Sequence, residues 1–363
     1  MATQRQWRIG RILSNLLVLG LIMGFTNLGL MGEDSDLWVV YDGIEGPGKG
    51  KHIVLISGDE EYRSEEGLPQ LAKILAKHHG FKCTVHFAID PKDGTINPAL
   101  VNNIPGLQAL ETADLMIIAT RFRELPDTQM EYIVRYVDSG RPIIGMRTAT
   151  HAFRYSKESH SKYRSYDFQS ETWKEGFGRQ VLGETWIAHH GQHGVESTRG
   201  IIVEGMKDHP IVRGCDDIWG PTDVYEVRLP MCDTCQPLVL GQVLSGMQPS
   251  DPPFVGKKVR KGGGTEFEVA PNDPMMPIAW IKKFKGEDGE TSRIFTTTMG
   301  ASEDLLSEGL RRLLVNATYW GVGMEDRIPE RANVDLVGKY SPTGFGFNKY
   351  KVGLKPSDYA LKP

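Results

Sequence analysis

The segment His52-Ile53-Val54-Leu55-Ile56-Ser57 is a short apolar run that ends at Gly58 and a group of charged residues. A run of this length, bounded by turn residues, is typical of a strand buried on both faces of a sheet. The next segment, 65–79, carries Leu68 and Leu71 on one face of an amphipathic helix. A buried strand followed by such a helix predicts a parallel sheet covered by helices.

The same alternation continues along the chain. Further strands are predicted at 83–89, 114–119, 142–146, 200–204 and 237–243, with helices at 127–138, 166–182 and from Ser302 to Trp320. We therefore predict one three-layer α/β domain over 51–323, with a parallel, doubly wound sheet and an added β-hairpin at 276–298. Residues 324–363 lack periodicity and are predicted to form an extended C-terminal arm, which could join copies of the chain into a homo-oligomer.

The first residues differ in composition from the rest. Three arginines precede an apolar run over 12–31, and the small Gly32 stands before an acidic group. This order is typical of a secretory signal, which predicts a signal peptide at 1–32, a linker at 33–50 and a periplasmic or extracellular mature protein. The alternative is an uncleaved membrane anchor, since the run approaches the length needed to cross a bilayer.

The overall composition excludes some classes of partner. The chain has 363 residues, of which 40% are hydrophobic and 24% charged, as expected of a folded globular protein. Its net charge of −4 gives no reason to expect nucleic-acid binding or, once a signal is removed, stable membrane insertion.

The cysteines do not form a disulfide framework, because there are four in a long chain: Cys83, Cys215, Cys232 and Cys235. In an oxidising compartment, a local bridge between Cys232 and Cys235, or a bridge from Cys215 to one of them, is expected. The sequence leaves the pairing open.

Three of the ten histidines, His189, His190 and His193, fall within five residues beside Trp186. Imidazole exchanges protons near neutral pH and also binds metals, so the cluster predicts a site. The alternative is a packed loop in which the rings satisfy backbone groups. Zinc or a similar ion could be held by the three histidines, but no carboxylate partner is firmly placed, and we expect no cofactor.

Polar side chains also follow the predicted strands. Because the carboxyl ends of parallel strands meet at one edge of a sheet, these residues should line one pocket together with the histidine cluster. Those after the strands are Asp59, Glu60, Tyr62, Arg63, Arg121, Arg147 and His151. A later run adds Asp223, Tyr225 and Glu226, whose aromatic face and carboxylates suit a sugar ring or, equally, a packed strand and turn.

The segment 144–150 has the strand, sharp turn and helix start of a nucleophile elbow. Its tip carries no cysteine or serine, so acyl transfer has no obvious nucleophile. Arg147 stands there instead, and a guanidinium suits oxygen-rich ligands and developing oxyanions.

These features together resemble the trehalose-utilisation (ThuA-like) family of the class I glutamine amidotransferase-like superfamily, in particular its exported bacterial members. The resemblance extends from about 51 to 323 and depends on the order of Tyr62-Arg63, 140–149, Asp208-His209-Pro210-Ile211, Asp223-Val224-Tyr225-Glu226 and Pro277-Ile278-Ala279-Trp280. It implies a flavodoxin-like sheet and a link to the breakdown of oxidised disaccharides. The amidotransferase cysteine position holds Arg147, so the resemblance does not imply glutaminase activity.

We therefore predict an exported enzyme that acts on a sugar or 3-keto sugar by acid–base chemistry, with a small-molecule carbohydrate as its partner. His190 is the first candidate base, His193 the acid, Arg147 the oxyanion stabiliser and Glu226 an alternative base. The remaining candidates, expected to bind substrate, are Asp59, Glu60, Tyr62, Arg63, Arg121, His151, Trp186, His189, Asp223 and Tyr225. The alternatives are a carbohydrate-binding module without catalysis and a metal-dependent hydrolase that uses the three histidines.

Overall fold

The computed structural model describes residues 36–262 and 265–361. Its strands are β1 Trp38–Tyr41, β2 His52–Gly58, β3 Lys82–His86, β4 Leu115–Thr120, β5 Ile143–Met146, β6 Thr198–Ile202, β7 Ile218–Gly220, β8 Cys235–Val243, β9 Lys258–Gly262, β10 Thr265–Val269, β11 Met276–Lys285 and β12 Thr291–Thr297. Its α-helices are α1 Ser64–His79, α2 Asp127–Asp138 and α3 Glu308–Gly321. The predicted signal peptide lies outside the described residues.

A mixed sheet forms the centre of the structure, with strand order β1-β3-β2-β4-β5-β12-β11-β8-β6-β7. The neighbours from β3 to β12 are parallel, and the pairs beyond them on either side are antiparallel. β9 and β10 form a separate antiparallel pair. The α/β class predicted from the sequence is confirmed.

Helices cover both faces of the parallel strands. Ile53 and Leu55 of β2 belong to one core with residues of α1 and α3, whereas Val54 and Ile56 belong to a second core with residues of α2. Successive side chains of a strand point to opposite faces, so a continuous apolar run supplies both cores. The segments that follow β2 and β5 lie close together at the carboxyl ends of the strands, since the Thr148 hydroxyl donates to Oδ2 of Asp59 at 2.5 Å.

The hairpin and the linker differ from expectation. β11 and β12 are antiparallel, as predicted, but β12 also pairs in parallel with β5, which makes it part of the central sheet. Within the predicted linker, β1 pairs with β3 and extends the sheet by one strand. Val39 and Tyr41 bury their side chains there, which explains why this segment is ordered against the domain.

One helix prediction is wrong, and the last helix begins later than predicted. Within 166–182, only the end of the segment, Gly178–Leu182, forms a π-helical turn. Glu175 and Gly176 have φ of 58° and 52°, a left-handed conformation that interrupts a right-handed helix. Ser302 does not begin the last helix. A 3-10 turn follows it, and α3 begins after Ser307, whose Oγ accepts a hydrogen bond from the Leu310 N–H at 3.3 Å.

Residues 324–361 contain no strand or α-helix and contact the domain at separated points. His79 Nε2 lies 2.7 Å from the carbonyl oxygen of Asn333, the Ile96 N–H donates to the Leu354 carbonyl at 2.7 Å, and Tyr41 donates to the Tyr359 carbonyl at 2.7 Å. These bonds hold the segment along the body of the domain.

The structure contains a disulfide between Cys232 and Cys235, while Cys83 and Cys215 are free and buried. Among the described residues, no helix combines the length and apolar character needed to cross a membrane.

Candidate functional site

Two loop segments run side by side and bring the histidine cluster to Asp223. The His190 N–H donates to the Val224 carbonyl at 2.7 Å, and the Glu226 N–H donates to the Ala188 carbonyl at 2.9 Å. A side chain at Gly191 would meet the Cβ of Asp223 at 3.1 Å, so glycine permits this close approach. The backbone pairing therefore fixes which histidines can reach the carboxylate.

The carboxylate of Asp223 is the centre of the site. Its Oδ2 lies 2.7 Å from Nδ1 of His189, and its Oδ1 lies 3.2 Å from Nδ1 of His193. The Asp223 side chain is fully buried, whereas 35% of the His189 side chain and 32% of the His193 side chain are exposed. Solvent can therefore reach both imidazoles, but it cannot reach the carboxylate that they contact.

Burial alone would raise the pKa of Asp223, but the Arg147 charge and hydrogen bonds from both histidines lower it well below its ordinary value. The carboxylate is therefore ionised near neutral pH and accepts hydrogen bonds from both Nδ1 atoms. A neutral imidazole that donates through Nδ1 has a lone pair on Nε2. Each ring can then take a proton on its outer side.

Arg147 occupies the tip of the predicted elbow and has a φ of 44°. Its Nη2 donates to Oδ1 of Asp223 at 2.8 Å, and its Nη1 donates to the Asp223 and Thr298 carbonyls. The guanidinium also lies between the rings of Tyr62 and Tyr225, at 4.4 and 3.8 Å from their centroids. The Arg147 side chain is 1% exposed and holds Asp223 from the buried side. Its Nη1 and Nη2 atoms already donate to Asp223, Thr298 and Tyr62.

Glu61 is a site residue that the sequence analysis missed. Its Oε1 lies 3.6 Å from Nε2 of His193, and its Oε2 lies 3.3 Å from Nε of Arg121. Burial raises the pKa of Glu61, the Arg121 charge opposes this, and Asp59 adds to it. The sequence shows Glu61 directly before Tyr62, after the first predicted strand. Nothing in the sequence, however, distinguishes its carboxylate from those of the neighbouring Asp59 and Glu60.

Several predicted residues hold the site in place. Asp59 Oδ1 accepts from the Glu61 and Tyr62 N–H groups at 2.8 and 2.9 Å, which fixes the turn after β2. Glu60 pairs with Arg121, and with Arg123 at 2.9 Å. Arg63 is fully buried and donates to the Glu60 carbonyl. The structure therefore brings these residues together at the strand ends, where they mainly form hydrogen bonds and ion pairs with one another.

Aromatic rings surround the two exposed imidazoles. Trp186 lies 5.7 Å from His189 and Phe345 lies 5.1 Å from His193, measured between ring centroids. His151 is buried among aromatic rings that include Trp186 and Tyr225. Phe345 comes from the C-terminal segment, which no local pattern connects to the histidine cluster.

His190 and Glu226 were the two candidate bases. The His190 side chain is buried, and its Nε2 lies 2.9 Å from the Pro271 carbonyl oxygen. Glu226 is half-buried; the pKa of the neighbouring Arg228 is raised first by its hydrogen bond to Glu175, and the Glu226 charge adds to this. The hydrogen bonds that define the Asp223 cluster are made by His189 and His193 instead.

One group of side chains in the described residues has the donor atoms of a metal site. Ligand atoms of His189, His193 and Asp223 all lie within 4.8 Å of one another. The sequence had suggested the three histidines; the structure substitutes the carboxylate of Asp223 for His190. Two imidazoles and a carboxylate are a usual ligand set for a divalent transition metal.

No protein-family model and no curated protein match the chain. Several solved structures align with most of it, two of which come from bacteria of related genera by name. One, from Bacteroides uniformis, has 15% identity and a TM-score of 0.43, and covers 77% of this chain and 93% of its own. The other, from Parabacteroides merdae, has 14% identity and a TM-score of 0.44, and covers 86% of this chain and 100% of its own. Both are described as ThuA-like. These descriptions agree with the resemblance found in the sequence.

Proposed function

We propose that the chain is an exported enzyme that acts on a sugar or 3-keto sugar by acid–base chemistry at the Asp223 cluster. The observation that carries this proposal is the buried, ionised Asp223 beneath the two solvent-reachable imidazoles of His189 and His193. A buried carboxylate that orients an imidazole is the arrangement by which enzymes fix a histidine base in its working tautomer. We also infer that the order β3-β2-β4-β5-β12 forms a flavodoxin-like core that presents this cluster at its strand ends.

His189 is the proposed base. It makes the shorter contact with Asp223, at 2.7 Å, and its outer nitrogen is the one available to a substrate. A 3-keto group acidifies the C2–H bond of a glycoside. His189 removes that proton, and the electron pair forms the enolate, whose charge rests on the keto oxygen.

His193 is the proposed acid, with Glu61 beside its outer nitrogen. In an elimination, the enolate electrons re-form the carbonyl, a C1=C2 double bond forms as the C1–O bond breaks, and His193 protonates the departing oxygen. In an isomerisation, the C1–O bond stays intact, and C2 instead takes a proton that has exchanged with solvent, with inversion of that carbon. Both routes balance without an oxidant or a cofactor.

Incubation of the purified protein with methyl 3-keto-glucosides in heavy water tests this proposal. We expect deuterium at C2, or an unsaturated product, by NMR and mass spectrometry. His189→Gln should abolish the signal, and Glu204→Gln, an exposed and distant change, should not. Binding without exchange or product would identify a carbohydrate-binding module. If the protein neither binds the sugar nor gives exchange or product, the proposal is contradicted.

A second candidate is a metal-dependent hydrolase, favoured by the His189, His193 and Asp223 donor atoms that lie within 4.8 Å. A divalent ion there would activate water for attack on the substrate. Elemental analysis of protein purified without a tag or chelator decides between the candidates. One bound ion per chain that is lost in a His189 and His193 double variant, with activity restored by the metal in chelated wild type, would favour the hydrolase.

A further inference from the structure

A cavity of about 220 Å³ lies between α1 and the C-terminal segment, residues 324–361. None of the residues that line it belongs to the Asp223 cluster. The polar side chains of its wall that matter here come from both elements: Glu66, Gln70 and Lys73 from α1, and Lys339, Lys351 and Tyr359 from the segment.

Positive charge exceeds negative charge in this wall. Lys351 Nζ lies 3.0 Å from Oε2 of Glu66, so these two charges balance. Lys73 and Lys339 have no ion-pair partner among the described residues. Burial lowers the pKa of the half-buried Lys73, and no carboxylate in that part of the chain opposes the shift. Burial raises the pKa of the adjacent Glu65 to about 8, so this carboxyl group is mostly protonated at pH 7 and does not offset the lysines.

Two buried side chains of the wall have polar atoms without a partner. Gln70 is 3% exposed and Glu66 is 5% exposed. The Gln70 amide nitrogen and Oε1 of Glu66 are shielded from solvent and make no hydrogen bond with any described residue. Buried donors and acceptors are nearly always satisfied in folded proteins, by protein, water or ligand. The fold alone does not account for these two atoms, and a ligand in the cavity would.

We propose that this cavity binds a small oxygen-rich dianion, of which inorganic phosphate is the simplest, and that the bound anion holds the C-terminal segment against α1. Lys73 and Gln70 supply a charge and an amide donor from the helix, and Lys339 and Lys351 supply charges from the segment. Hydrogen bonds from a cation to an anionic oxygen are stronger than those between neutral groups. The single hydroxyl group of hydrogen phosphate can also donate to the carboxylate of Glu66.

The cavity is connected to the candidate site through the same segment. The Thr343 N–H donates to Oε2 of Glu66 at 2.9 Å, and two residues later the ring of Phe345 lies 5.1 Å from that of His193. An anion that holds the segment therefore also holds Phe345 beside the site. The inference goes beyond the proposed function and does not depend on it.

Calorimetric titration of the full chain with inorganic phosphate, in a phosphate-free buffer at pH 7.5, tests the site. We expect one phosphate per chain. Lys73→Gln and Gln70→Met should each raise Kd roughly tenfold, because each removes a donor to the anion. Lys77→Gln is the matched control and should change Kd less than twofold, since Lys77 is exposed on the same helix and does not line the cavity. Without phosphate, Gln70→Met should keep the wild-type melting temperature, because the amide nitrogen has no partner to lose.

Hydrogen exchange of residues 339–351 gives a second measurement. Phosphate at a concentration that saturates the wild type should slow exchange there in the wild type and in Lys77→Gln, and should do so less in Lys73→Gln. Absence of binding by the wild type, an equal Kd in all four proteins, or exchange that phosphate does not change would overturn the proposal. None of these outcomes bears on the reaction at the Asp223 cluster, because sugar turnover is not the quantity measured.

Discussion

The Nδ1 atom of His189 lies 2.7 Å from Oδ2 of Asp223, although 34 positions separate the two residues. The carboxylate also neutralises Arg147, at 2.8 Å. Asp223 therefore connects the solvent-reachable imidazole of His189 to the buried guanidinium of Arg147. Substitutions at these three positions should differ in their effects on activity and on stability.

Asp223→Asn should destabilise the fold. The change leaves the Arg147 charge buried without its counter-ion, and removal of one partner of a buried pair costs about 3–5 kcal/mol. Urea unfolding measures this cost. Asp217→Asn is the control, because Asp217 pairs with Arg199 at an exposed position and should cost less than about 1 kcal/mol. Equal, small losses in both variants would contradict a buried ion pair at Asp223.

His189→Gln and His190→Gln should separate activity from stability. The His189 side chain is partly exposed and contacts Asp223. Its loss should therefore lower turnover by about a hundredfold or more, with little change in melting temperature. His190 is buried against the Pro271 carbonyl, so its loss should lower the melting temperature by several degrees. Turnover of a 3-keto-glucoside and thermal unfolding are measured on both. Loss of turnover in His190→Gln at an unchanged melting temperature would return the catalytic role to His190.

Glu61 should set an acidic limit on activity. Burial raises its pKa above the ordinary value for glutamate, and it must be ionised to assist His193. Activity should therefore fall as the pH falls through this raised pKa. In Glu61→Gln, that limb of the kcat/KM profile should disappear, and turnover should drop by about a hundredfold. An unchanged acidic limb in the variant would assign it to another group.

Stability should fall between about pH 6.5 and pH 4. Burial lowers the pKa of His79 from 6.5 to about 4, against a hydrogen bond to Asn333 that opposes the shift. Below pH 6.5 the unfolded chain gains a proton that the folded chain does not, so the folded state loses relative stability until the pH reaches about 4. The loss from this residue is about 3 kcal/mol.

His79→Gln should make this part of the stability profile less steep, measured by urea unfolding at about pH 7 and about pH 4.5, while the lowered pKa values of His86 and His151 keep part of the slope. His160→Gln, which removes an exposed imidazole, serves as the control. An equal slope in the wild type and His79→Gln would show that this ring does not govern the pH dependence.

The parallel strands could be predicted because their signal is local. Ile53 to Ile56 form a continuous apolar run, and the strand-end rule then placed Asp59, Tyr62 and Arg147 in one region, where the structure also has them. The segment 166–182 was predicted as a helix, but the left-handed backbone at Glu175 and Gly176 interrupts it. Domain boundaries and assembly through the C-terminal arm stay predictions.

The site was harder to predict than the sheet. Three imidazoles in five residues are chemically alike, and only the approach of Gly191 to Asp223 determines that His189 and His193 face the carboxylate. Phe345 reaches His193 from a distant part of the chain, so no sequence spacing connects them. Both facts depend on tertiary contacts.

The arginine at the elbow also restricts how this chain could evolve. A cysteine in place of Arg147 would place a nucleophile at the tip, but it would leave Asp223 without its counter-ion and would leave a cavity between Tyr62 and Tyr225. A thiolate would add a second negative charge to the same pocket. Acyl-transfer chemistry at this position would therefore require simultaneous replacements at several positions, because a single replacement of Arg147 would destabilise the fold.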